Sequence, residues 1–110
     1  MAKLVKELTG DFDWTLERIH DGILSGSMSA SYEDGSQWDS GDVRVATRVY
    51  ERYSWLGSNR VSLSVTLAGK GNSLFLTAIT SGGSQAQFFK INTFGESGFL
   101  RKLEQVIGGL

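Results

Sequence analysis

The residues best equipped for chemistry gather in the stretch 74–96, LFLTAITSGGSQAQFFKINTFGE. Ser81, Ser84, Gln85, Lys90 and Asn92 set hydroxyls, amides and an ammonium into an otherwise apolar hairpin. That hairpin leads into Thr93-Phe94-Gly95-Glu96, the spacing of a capping box, in which Thr93 and Glu96 satisfy each other's free amides. Polar side chains beside the start of a helix suit a small anion, and Phe88, Phe89 and Trp55 would supply apolar walls. Glu51 joins the candidate site because it interrupts an apolar alternation, where a carboxylate must gain a cation or a raised pKa. Arg60 and Lys90 are equally able to neutralise it. A Glu51–Glu96 acid and base pair is the sharper alternative, but a strand-end salt bridge for Glu51 is the preferred reading, since Glu96 already serves as a cap.

Other chemistries fail on spacing. Gly82-Gly83-Ser84-Gln85-Ala86 misses the final glycine of a hydrolase elbow and falls in a strand-to-strand turn, with His20 the sole histidine and far away in sequence. Gly69-Lys70-Gly71 has neither the earlier glycine nor the following Ser or Thr of a phosphate loop. The carboxylates of 33–42 do not follow calcium-loop spacing, so no metal is expected, and no cofactor is implied. Zero cysteines exclude disulfides, thiolate nucleophiles and Cys-ligated metals. Arg44, Arg48, Arg52 and Tyr50 share one face of a strand, with Arg60 nearby, and could meet phosphates and bases. Against nucleic acid stand a pI near 5.7 and an acidic region from Glu7 to Asp42 that contains Arg18 as its one cation. The net charge is −1, but the chain after Asp42 is basic; opposed charged faces would favour self-association, while solvated surface is the plainer reading.

The elements that must position these residues follow from periodicity. The segment 3–8 is a short edge strand or a fraying arm. Asp11 or Asp13 caps a helix whose Phe12, Leu16, Ile19 and Ile23 recur at four and three residues, with His20 one position off that stripe. From Ser27 to Tyr32 the period becomes two, and 33–42 (EDGSQWDSGD) reads as an acidic loop whose Trp38 folds back onto the protein. Val43 to Trp55 alternates Val43, Val45, Thr47, Val49 and Glu51 against Arg44, Ala46, Arg48, Tyr50 and Arg52. Val61, Leu63, Val65 and Leu67 mark the cleanest strand; Gly69 to Asn72 turns the chain. Leu74 to Thr80 is apolar on both sides, which predicts an interior strand with both faces at least partly covered. A strand over 84–91, which is free to form an edge of the sheet, and a helix with Phe99, Leu103 and Val106 on one face complete the chain.

Short connections between consecutive strands predict an antiparallel meander. The expected fold is therefore α+β: one domain over residues 1–110, with a single curved antiparallel sheet of five to six strands packed against an N-terminal and a C-terminal helix. This arrangement resembles the helix-grip fold of the birch-pollen-allergen and lipid-transfer superfamily, which implies a ligand cavity between sheet and C-terminal helix. The chain is shorter and shows one helix after its first strand where those families have two. The string TSGGSQAQFFKINTFGE also looks like the signature of a small bacterial family of unknown function, which implies no activity. The residues lead to a non-enzymatic module that binds a small anionic or amphipathic ligand through the site named above. A structural protein that forms a homodimer is the alternative. No run of apolar residues reaches membrane-spanning length or forms a signal-peptide core, so a cytoplasmic location is expected.

Overall fold

A computed structural model describes residues 3–25, 30–54 and 59–82, together with 103, 105, 107 and 108. Strand β1 (Lys3–Thr9) is followed by helix α1 (Phe12–Ser25), then β2 (Ser31–Ser40), β3 (Val43–Ser54), β4 (Asn59–Lys70) and β5 (Ser73–Gly82). The strands form one antiparallel sheet in the order β1-β5-β4-β3-β2. Consecutive strands β2 to β5 make the meander that short loops require, and β1 closes on β5, with Lys3 opposite Ile79 and Thr9 opposite Ser73. Two of the turns contain two residues, Gly41-Asp42 and Gly71-Asn72, with φ of 60° and 59° at the glycines. That left-handed geometry is what matches a tight turn to the twist of its flanking strands.

Helix α1 begins where Asp11 caps it: the Asp11 carboxylate accepts from the Trp14 amide at 2.8 Å, and the Asp11 carbonyl accepts from the Thr15 amide at 3.0 Å. The stripe Phe12, Leu16, Ile19 and Ile23 is buried along its whole length. It lies against Val61, Leu63, Val65 and Leu67 of β4 and Leu74, Leu76 and Ala78 of β5 in one core. Leu103 is fully buried in the same core, and Ile107 packs against it. The expected C-terminal helix otherwise lies outside the described residues, as does the strand expected over 84–91. The helix-grip resemblance depends on that helix.

Three expectations are corrected. First, 33–42 is no loop: β2 runs through Ser40, pairing Asp34 with Val49 and Ser40 with Val43, with a bulge at Glu33. Polar residues and a glycine conceal a strand whose order comes from the hydrogen bonds of its neighbour rather than from its own propensity. Trp38 sits on that strand 60% exposed, so it does not fold back. Second, the two faces of β3 are exchanged relative to the apolar reading. Residues directly opposite share a face, and Ala46, Arg48 and Tyr50 stand opposite Leu67, Val65 and Leu63, whose side chains face α1. The arginines therefore lie on the helix side and the valines on the other. Third, β5 is interior to the sheet, as expected, but covered on one face alone: Leu74, Leu76 and Ala78 are buried while Phe75 and Ile79 are exposed.

Candidate functional site

The second correction assembles a polar group that no contiguous stretch of sequence contains. Tyr50 on β3 is fully buried, and its hydroxyl lies 2.8 Å from Nδ1 of His20 on α1. Tyr32, opposite Tyr50 on β2, completes a triangle of rings with centroids 5.5, 5.6 and 5.7 Å apart, the His20–Tyr32 pair edge-on. Edge and tilted contacts of this kind hold ring orientation as well as burying area. Local sequence explains each placement: His20 follows buried Ile19 and stands at the shoulder of the helix stripe, while Tyr32 and Tyr50 occupy facing positions in the ladder.

Arg48 borders the triangle. It is half-buried and stands opposite Gly35 of β2. A Cβ at position 35 would overlap the Thr47 carbonyl oxygen, lie 2.8 Å from the Tyr32 hydroxyl and lie 3.1 Å from Cγ of Arg48. The missing side chain at Gly35 is thus the space into which the Tyr32 hydroxyl and the Arg48 stem fit. Among the described residues Arg48 has no carboxylate partner.

Burial is the main force on the Tyr50 phenol and raises its pKa, with Tyr32 and Glu17 adding to the rise and Arg48 opposing it. Tyr50 consequently remains a neutral hydroxyl in neutral solution. With that hydroxyl donating to Nδ1, the imidazole proton is assigned to Nε2. A phenol with a raised pKa is a poor proton donor, and a guanidinium, an imidazole N–H and the Tyr32 hydroxyl are hydrogen-bond donors. This set suits recognition of an anion better than proton transfer. Among the described residues no three His, Asp or Glu side chains converge as metal ligands.

The site residues expected from sequence occupy other ground. Glu51, Arg60 and Ser81 lie on the sheet face turned away from α1. Glu51 pairs with Arg60 at 3.3 Å, the salt bridge preferred for it, and Ser62, between Glu51 and Ser81 in the ladder, donates to the Ser81 carbonyl at 3.2 Å. Ser84, Gln85, Lys90, Asn92, Trp55, Phe88 and Phe89 lie outside the described residues. Sequence reasoning overlooked His20, Tyr32, Arg48 and Tyr50 as a group. The available signals were the shared strand face of Arg48 and Tyr50 and the off-stripe position of His20; what they lacked was the register that faces both toward α1.

The chain belongs to the Family of unknown function (DUF6054), whose family model matches residues 1–110. No curated protein and no solved structure matches it. No helix among the described residues is long and apolar enough to cross a membrane.

Proposed function

We propose, starting from membership of a family without an assigned role, that this protein is a non-enzymatic module that binds a small anionic or amphipathic ligand on the helix side of its sheet. The carrying observation is the half-buried Arg48 side chain, which has no carboxylate partner among the described residues and borders Tyr32 and Tyr50. A cation partly withdrawn from water has lost hydration, and an anion that restores its hydrogen bonds recovers more there than at a fully solvated lysine or arginine. The adjoining Tyr32 ring, 45% exposed, presents apolar surface to the rest of an amphipathic ligand. The helix side of the sheet, the side on which Leu103 is also buried in the core, is the ligand's place in this reading.

A thermal-shift and native mass-spectrometry screen of inorganic phosphate, short carboxylates and fatty acids tests it. An anion at ten times its Kd stabilises the native protein by about 1.4 kcal/mol, a rise of several degrees in Tm for a chain of this size. The rise is expected in the wild type and absent in Arg48→Ala. No response to any of these anions, or an equal response in Arg48→Ala, overturns the proposal.

A further inference from the structure

The face of the sheet opposite α1 has a different character. One cross-strand row reads Trp38, Val45, Ala68, Phe75 from β2 to β5, and ends at Glu7 of β1. Trp38 is 60% and Phe75 45% exposed, and Val5 and Ile79 beside them are also open to solvent. The neighbouring row carries Thr47, Thr66 and Thr77 on successive strands, so the middle of the face is short, β-branched and uncharged. Apolar residues in this number on one exposed sheet face are unusual for a surface that meets water alone.

Of the charges on this face Glu51 and Arg60 pair with each other, Glu7 and Lys70 lie toward its other end, and one row points to what covers it. A third row runs Asp34, Val49, Ser64, Ile79, Lys3, with the carboxylate on β2 at one edge and the ammonium on β1 at the other. Neither forms an ion pair among the described residues. A twofold axis parallel to the strands, passing in front of β4, lays β1 of one copy over β2 of the other and leaves each row facing the same row. Lys3 then meets Asp34 of the second copy, and Asp34 meets its Lys3. The same operation sets Phe75 over Val45 of the second copy. Five strands about 4.8 Å apart and some eight residues of strand give a face of roughly 500 Å² in projection, and more in accessible area. That is the scale of one partner's share in a standard interface.

We infer that two copies of this chain pack face to face through this side of the sheet, as an isologous two-layer β-sandwich with reciprocal Lys3–Asp34 pairs at its edges. The aligned packing natural to two twisted sheets crosses them at about 30° and keeps a long side chain such as lysine within reach of its partner row. This inference does not depend on the ligand proposal, because the anion site lies on the opposite face.

Sedimentation or light scattering across a concentration series, with circular dichroism to verify folding, is the test. The wild type is expected at twice the 12.0 kDa chain mass. Phe75→Glu places a charge in the centre of the contact and is expected to raise the dimer Kd by about 100-fold or more while the fold persists. Lys3→Glu alone is expected to weaken the dimer, and Lys3→Glu with Asp34→Lys to restore it, which is a response that simple loss of apolar area would not produce. A wild-type monomer throughout, whether another segment or another partner takes the face, overturns the inference. So does a dimer indifferent to Phe75→Glu, or a double variant no stronger than Lys3→Glu.

Discussion

Arg44 and Arg48 stand on one face of one strand, four residues apart, and their surroundings could hardly differ more. Arg44 donates to Asp13 at 2.7 Å and to Asp39 at 3.0 Å, and its guanidinium lies over the Phe12 ring at 4.6 Å from the centroid. Its two carboxylates come from α1 and β2, so the pair of bonds ties the helix start to the sheet edge. Asp13 is held below the usual carboxylate range by Arg44, chiefly through their hydrogen bond. Arg48 has rings and a glycine for neighbours instead, and no described acid forms an ion pair with it. The same residue type thus serves as a fastening at the helix start and as an available cation four residues further along the strand, according to the partners that the ladder and helix bring to it.

Three substitutions break or sharpen that contrast. Phe12→Ala, at the fastened end, removes a buried ring that lies under Arg44 and against Gly69, where an added Cβ would come within 3.0 Å of it. Chemical denaturation is expected to show a loss of about 3–5 kcal/mol with the anion response intact in the remaining folded protein. A loss below 1 kcal/mol would mean that this end is not held by packing.

Gly35→Ala acts at the open end and is the next in size. The new methyl meets a backbone oxygen that cannot move aside, with the Tyr32 hydroxyl close behind. Destabilisation of about 1–3 kcal/mol is expected, together with loss of the anion-dependent thermal shift because Tyr32 and Arg48 are driven apart. Retained binding in this variant would show that their apposition is irrelevant to the ligand.

Tyr50→Phe has the smallest effect in neutral solution, about 0.5–1.5 kcal/mol for the hydrogen bond to His20. Its signature is in alkali. The native state keeps the Tyr50 phenol protonated above its unfolded value of 10.0, so the unfolded chain releases that proton first. Stability from this group is complete below that pH and falls as pH rises from there through the folded-state value. Replacing the phenol is expected to make the alkaline decline in stability shallower, measured by urea denaturation between neutral pH and pH about 11. An unchanged decline would place the Tyr50 hydroxyl in contact with water.

The parts of this architecture that announce themselves along the chain are those governed by local periodicity. The α1 stripe, the Asp11 cap, the alternation of Val61 to Leu67 and the Gly71 turn all emerge because each depends on residues within one or two turns of one another. β2 does not, since Glu33 to Ser40 has little strand preference of its own and becomes a strand through β3. The candidate site was even less accessible: His20, Tyr32 and Tyr50 are adjacent through the ladder and the helix crossing, and none of them belongs to the polar stretch of sequence 81–92 that composition favours.

From sequence alone came an α+β chain with a capped amphipathic helix and a largely antiparallel meander, because hydrophobic spacing and turn chemistry are local properties. Tertiary structure alone decided which face of β3 looks inward. A strand with valines on one side and arginines, alanine and tyrosine on the other can pack either way, and pairing with β4 settled it. Register is a relation between strands, and with it went the identity of every residue that the site can use.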